Sequence, residues 1–273
     1  MCGIAGFCIN REEHIDARAL AKSLLQGIEV RGKDATGAAW YNGKDKEMYY
    51  IKAPKRAQDF CRNELWRLPS GVKNVILHTR WATQGSPKNE TNNHPIVIGN
   101  LVGVHNGHIS NDKDILKFAR DYYGHKRIGE VDSEAAFAIA KYSPEPLNDF
   151  ANTLNGRAAL AWIDGDRPRE LNLTRVTGSP VAVAQTKMGS FIFASTKPIL
   201  EKAMKENNLP IDWIDEMNEY EYMKIRNGVI EEYTDYKPDW VKDLEKAKLE
   251  YDGKADSLDT LDKEYGAWLK SVM

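Results

Sequence analysis

The sequence predicts an α+β fold in which largely antiparallel sheets carry helices on their outer faces. Three observations lead there. Short runs with the period of a β-strand outnumber helical segments. Asn-Gly and Asp-Gly pairs separate neighbouring runs as hairpin turns do. The helical segments are amphipathic, so each has a face to bury against a sheet.

Taken in order, the strand-like runs are Gly3–Ile9, Gly37–Tyr41, Met48–Lys52, Asn74–Arg80 and Leu101–His105. A second group follows at Ala158–Ile163, Leu171–Val176, Pro180–Ala184, Ser190–Ala194 and Glu221–Arg226. Helical patterns cover Asp16–Val30, Asp112–Tyr123 and Ser133–Tyr142. In the middle one, Ile115, Ala119 and Tyr122 repeat at helical spacing, with Leu116 and Phe118 beside them. Asn42-Gly43, Asp164-Gly165 and Asn227-Gly228 supply the turns.

From about Asp235 the character changes to a dense mixture of charges without strand signals. Residues 2–235 therefore read as one body and 236–273 as a charged helical tail. Trp240, Leu244, Ala247 and Tyr251 share one helical face. Leu258, Leu261, Tyr265, Trp268 and Val272 share another. Such helices pack on the body or dock a partner.

Composition narrows the function classes. The chain has 273 residues, 42% hydrophobic and 29% charged, enough for a full core. A net charge of -2 gives no electrostatic case for nucleic acid or an anionic membrane. No apolar run approaches the roughly 18 residues of a membrane span, and no secretory signal opens the chain. Three cysteines, Cys2, Cys8 and Cys61, lack framework spacing, which fits a reducing cytoplasm.

Cys2 stands directly behind the initiator methionine. Removal of Met1 would put a thiol and a free α-amine on one residue. An α-amine has a pKa near 7.7–8 and a thiol near 8.5, so the amine can take the thiol proton. Nucleophile and base then share a residue. Cys8 and Cys61 read as small buried hydrophobes.

Three further stretches carry groups that acyl transfer on a thiol needs. In LHTRWATQG, residues 77–85, Arg80 has the fork that grips a carboxylate. In VGVHNGHIS, residues 102–110, a strand runs into Asn106-Gly107, whose amide and backbone N–H suit an oxyanion. In EVDSEAAFAIA, Asp132 precedes a helix and suits an ammonium. Each has a plain alternative. Asn-Gly is ordinary turn chemistry, Asp132 or Ser133 an ordinary N-cap, and Arg80 an ordinary structural arginine.

Together with RGKDATG (31–37), HTRWATQGSP (78–87), NNHP (92–95), VHNGHISN (104–111) and VDSE (131–134), the MCGIAG start resembles one family. It is the glutaminase domain of class II glutamine amidotransferases, which are N-terminal nucleophile hydrolases. The wording is most similar to glucosamine-6-phosphate synthases and covers roughly residues 2–235.

The resemblance implies a four-layer α/β/β/α sandwich and hydrolysis of L-glutamine through a γ-glutamyl thioester on Cys2. It implies Asn106 and Gly107 as the oxyanion hole, Arg80 on the substrate carboxylate and Asp132 on its ammonium. Trp81 and Thr83 would lie on the substrate-side loop, Arg31 and Asp34 in a supporting turn, and His78 and His105 packed nearby. No cofactor or metal is asked for. The H-x-x-H spacing of His105 and His108 lies on a strand-turn segment and does not aim two rings at one ion.

Two departures limit the likeness. Gln84 stands where the synthases carry histidine, and no acceptor-domain motif follows. The expectation is a glutaminase subunit that passes ammonia to a separate acceptor protein. An independent hydrolase of a γ-glutamyl compound and a non-catalytic glutamine sensor are the alternatives. No motif sets the oligomeric state.

Overall fold

The computed structural model describes residues 1–239, 241–243 and 246. The backbone divides into two units, Met1–Tyr236 and Lys237–Met273. The tail helices expected around Trp240 and Trp268 lie outside the described residues.

In chain order the first unit opens with β1 (Gly3–Cys8), α1 (Ala17–Ile28), β2 (Ala35–Asn42) and β3 (Glu47–Ala53). Next come α2 (Ala57–Asn63), β4 (Asn74–Arg80), β5 (Ile96–Ile98) and β6 (Leu101–Ile109). Three helices follow: α3 (Asp112–Tyr123), α4 (Ser133–Tyr142) and α5 (Pro146–Asn152). Then come β7 (Gly156–Asp164), β8 (Glu170–Thr177), β9 (Ala182–Thr186) and β10 (Phe191–Ala194). The unit closes with α6 (Lys197–Glu206), β11 (Ile211–Glu216), β12 (Glu221–Arg226) and β13 (Val229–Asp235).

The strands form a seven-stranded sheet, order β11-β9-β10-β1-β4-β2-β3, and a six-stranded sheet, order β13-β12-β8-β7-β6-β5. Every ladder is antiparallel. Three apolar clusters define four layers. One joins α1, α2 and α6 to the first sheet, through Leu20, Leu24, Phe60 and Leu200. A second joins α3, α4 and α5 to the second sheet, through Leu116, Phe137 and Phe150. The third lies between the sheets and includes Ile4, Ile76, Val104, Leu173 and Phe193. This is the α/β/β/α sandwich.

Both faces of β1 are buried, and the two-residue period sorts its side chains. Phe7 and Ala5 face the helices, while Ile4 and Cys8 face the opposing sheet. The same parity runs along β4, where Val75 and Leu77 face α1 and Ile76 faces inward.

Several elements differ from the sequence expectation. Strand β6 does not stop at His105 but pairs with β7 as far as Ile109 opposite Gly156. Asn106 and Gly107 are therefore strand residues opposite Ala159 and Ala158, not a hairpin turn. A dense ladder partner outweighs the turn preference of Asn-Gly. Helix α1 ends at Ile28 and tightens into a short 3-10 turn, Glu29–Arg31, with Asp16 accepting from the Arg18 and Ala19 amides as its N-cap. The Asn42-Gly43 and Asn227-Gly228 turns do close hairpins, β2–β3 and β12–β13.

Candidate active site

Strand parity brings the candidate residues to one end of the inter-sheet layer. In β4, His78 and Arg80 follow Ile76 at even spacing and so share its inward face. Gly3 pairs with Thr79, which sets Cys2 beside Arg80 at the strand end. In β6, Val102 and Val104 face inward, and Asn106 continues that face. His78 Nε2 donates to the His105 carbonyl at 3.0 Å, which holds the end of β4 against the end of β6.

Cys2 is half-buried just ahead of β1. The Trp81 amide donates toward its Sγ at 3.4 Å, and the thiol faces the Trp81 carbonyl at 3.6 Å. Burial pushes the thiol up from its ordinary value, against the downward pull of the Trp81 contact, the terminal amine and Arg80. The thiol is thus protonated at neutral pH and requires a base to become a nucleophile. Burial also pushes Cys8 and Cys61 up, to about 11 and about 12.

A turn supports this corner. Arg31 Nε donates to the Cys2 carbonyl at 2.9 Å. Asp34 accepts the Ala82 amide at 2.7 Å and donates its own amide to the Arg80 carbonyl at 3.0 Å. Gly32 lies so close that an added Cβ would stand 2.4 Å from the Arg80 carbonyl carbon. Trp81 is 54% exposed and Thr83 exposed, both on the loop this turn fixes.

Arg80 is buried, at 3% exposure. Its Nη1 donates to Asn93 Oδ1 at 2.9 Å, and its Nη2 to the carbonyls of Gly85, at 2.9 Å, and Gln84. Three of five N–H donors are thereby committed to the 84–93 loop, which leaves Nε–H and one Nη1–H on separate edges of the guanidinium. Asn93, quoted in NNHP without a role, emerges as the residue that orients the guanidinium. Lys52 holds the same loop, donating to the Asn93 and Pro95 carbonyls, and burial lowers its pKa to about 8.

The VDSE stretch ties three elements together with consecutive side chains. Asp132 Oδ2 accepts the Ile109 amide at 2.7 Å and lies 3.3 Å from His108 Nδ1. Asp132 occupies the N-cap position of α4, yet its side chain makes no cap bond. The carboxylate serves β6 instead of the helix. Ser133 Oγ meets His105 Nδ1 at 2.8 Å. Glu134, buried, takes the Ile128 and Gly129 amides and pairs with His125 Nε2 at 2.7 Å. Sequence reasoning missed Ser133 and Glu134 because a helix start explains such residues without further contacts.

Asn106 is 1% exposed, and neither its Oδ1 nor its Nδ2 has a partner in the protein. Buried amides are almost always paired, so such a group is an opening for a ligand. Beside it, Gly107 is sterically compulsory, since a Cβ there would stand 1.8 Å from the Arg157 carbonyl oxygen. Behind the site His78, His94 and His105 are fully desolvated, and burial drives all three pKa values down, His78 to about 3. The rings of His78 and His94 stack at 4.0 Å. Neutral imidazoles make this wall apolar in charge. Among the described residues no group of three His, Cys, Asp or Glu side chains could hold a metal ion. No described helix is long and apolar enough to cross a membrane.

Comparisons with known proteins bear on the family and the fold. Residues 78–202 match the family described as glutamine amidotransferase domain. The chain is 30% identical over 194 residues to glutamine–fructose-6-phosphate aminotransferase (isomerizing) of Legionella pneumophila strain Lens, covering 67% of this chain and 30% of that protein. The Helicobacter pylori protein of the same name is 28% identical over 240 residues, covering 82% of this chain and 38% of its own length. The chain thus spans about a third of the length of these relatives. Among solved structures, a Bacillus subtilis glutamine phosphoribosylpyrophosphate amidotransferase superposes with a TM-score of 0.69 at 18% identity. That match covers 86% of this chain and 49% of the other. A glutamine aminotransferase class-II domain protein from Silicibacter pomeroyi superposes at 0.54 and 16% identity, covering 87% of this chain and all of the other. Likeness at that identity speaks for the fold, and the family match and sequence relatives for the kind of domain. The chain therefore carries a class II glutamine amidotransferase domain on the N-terminal nucleophile hydrolase fold.

Proposed function

We propose that the protein hydrolyses L-glutamine to glutamate and ammonia, with Cys2 as nucleophile once Met1 is removed. The observation that carries the reading is the buried amide of Asn106, unpartnered on both polar atoms, in the inward layer it shares with Cys2 and Arg80. A donor with no protein partner costs about 1–3 kcal/mol to bury, a cost that a developing oxyanion offsets.

The freed α-amine takes the Cys2 proton, and Sγ attacks the side-chain amide carbon. Negative charge gathers on the former carbonyl oxygen, met by Asn106 Nδ2 and the Gly107 amide. The protonated amine then gives its proton to the leaving nitrogen. Ammonia departs, a γ-glutamyl thioester remains, and water attacks it to release glutamate and restore the thiol. The buried guanidinium of Arg80, with one free donor on an open edge, receives the substrate α-carboxylate. Asp132 receives the α-ammonium, with Oδ2 bonded to the Ile109 amide and Oδ1 in a long 3.4 Å contact from Ser133 Oγ. The ammonia passes to an acceptor protein on a separate chain.

The test is glutamate release from glutamine by protein whose Met1 removal is confirmed by mass spectrometry. The same chain retaining Met1, and Cys2→Ala, should both be inert. Turnover by a chain that keeps Met1 would refute the α-amine as base.

A further inference from the structure

The sandwich has a second mouth. The parity that sends Cys2 and Arg80 to one end of the inter-sheet layer sends Cys8 and Asn74 to the other, where they pair in register. Between them the chain leaves a cavity of about 800 Å³. Its walls come from the ends of β1 and β2, the loop before β4, and the β12–β13 turn. A second described cavity, against α5, is far smaller at about 290 Å³.

The lining is one-sided in charge. Arg11, Lys44, Lys73, Arg169 and Arg226 line this cavity, and no Asp or Glu does. Arg226 is neutralised by Glu170 and by Glu231 at 3.4 Å. The other four have no carboxylate within ion-pair distance among the described residues. Lys73 is held by the carbonyls of Asn10 and Glu13 instead, at 3.4 and 2.8 Å. In a chain of net charge -2, four unneutralised cations around one concavity are not a diluted surface average. Low-dielectric walls focus such a field on whatever enters.

A second observation comes from the wall itself. Asn74 is 4% exposed; its Nδ2 donates to the Pro168 carbonyl at 3.2 Å, and its Oδ1 has no partner. That orientation is fixed, because the flipped amide would set two carbonyl oxygens together. A buried acceptor is therefore left for an N–H or O–H group from outside the protein. Asn42 and Tyr41 add further polar lining.

We propose that this mouth binds a small phosphorylated molecule, its phosphate among Arg11, Lys44, Lys73 and Arg169 and a hydroxyl or amine on Asn74 Oδ1. The volume suits a ligand between a sugar phosphate and a mononucleotide in size. The concavity, walled on several sides, favours a small molecule over a polymer. The site is independent of the glutaminase reading, since it shares no residue with the Cys2 end.

The experiment is calorimetric titration of the full chain with glycerol phosphate and AMP, beside glycerol, adenosine and inorganic phosphate. Expected are saturable binding of the phosphorylated compounds, none of the neutral ones, and weaker binding of inorganic phosphate. The exposed double variant Lys44→Glu, Arg169→Glu should weaken binding by about tenfold or more. Asn74→Leu should reduce glycerol phosphate to the affinity of inorganic phosphate. A control pair remote from the cavity, Lys197→Glu and Lys202→Glu on α6, should leave binding unchanged. No binding of any phosphate, or equal weakening by both double variants, overturns the proposal. Equal binding of adenosine and AMP overturns the phosphate assignment.

Discussion

Asp34 accepts the Ala82 amide at 2.7 Å, so the turn that carries it clamps the loop just beyond Arg80. Asp34 is exposed, and the bond adds little to global stability. Its work is to hold the loop that carries Trp81, whose backbone meets the Cys2 thiol, and Thr83. Asp34→Ala is expected to raise the KM for glutamine about tenfold while Tm moves by less than about 2 °C. Steady-state kinetics with a thermal melt of the same sample checks both halves.

Asn106→Leu exchanges an unpartnered buried amide for an apolar group of near-equal size. Stability should hold or rise, by up to about 2 kcal/mol, because two unsatisfied polar atoms leave the interior. Under the oxyanion reading kcat should fall by about 10²–10³. Denaturant unfolding and kcat on Met1-free protein test this opposition. A variant that lost stability and kept its rate would assign Asn106 to the core and not to the chemistry.

Gly107→Ala places a methyl group 1.8 Å from the Arg157 oxygen, at a φ of +155°. The β6–β7 ladder must open to admit it. A loss of about 3 kcal/mol is expected, seen as a fall in Tm of about 6–12 °C. Activity should vanish with it. The same change at Gly43, where an added Cβ meets nothing within 4 Å, serves as the mild control.

The desolvated histidines make the fold acid-sensitive. His78 titrates near 3 in the folded protein and near 6.5 when free. The unfolded chain therefore binds more protons between those values, and stability falls as pH drops through that window. The slope is about 1.4 kcal/mol per pH unit for each such histidine. His94, also held well below its ordinary value, adds to it. Guanidinium unfolding at several pH values should show His94→Leu with a shallower acid decline than the parent chain.

How much of this was legible in the sequence depends on what each signal encodes. The strands at Gly3–Ile9 and Asn74–Arg80 were plain, because each holds an apolar run with no helical period, Val75–Leu77 in the second. Cys2 and Arg80 stood out by chemistry and position. What Asn106 does was masked by its own turn propensity, since Asn-Gly signals a hairpin until a ladder partner is known. Asp132 was similarly doubled. It sits at a helix N-cap, yet its carboxylate bonds to Ile109, across a distance in sequence that no local pattern records. Helix α6 was missed although Pro198 marks its first turn, and β5, three residues long, offers too few positions for any period to register. The cationic mouth was illegible because its residues come from five separated segments, joined only by the sandwich.

The position of β1 between β4 and β10 has a consequence for dissection of the molecule. One neighbour of the Cys2 strand is synthesised about seventy residues later, and the other nearly two hundred. Contacts that distant in sequence close late and at high entropic cost. The stretch 78–202 that carries the family match is accordingly not a folding unit: it lacks β1, β2 and β3, and most of β4. Any fragment ending before Phe191 leaves β1 with a bare edge. Such a fragment offers an unpaired apolar strand to other chains and invites aggregation. Cys2 is encoded early and framed last, so nothing much shorter than the whole first unit can hold it.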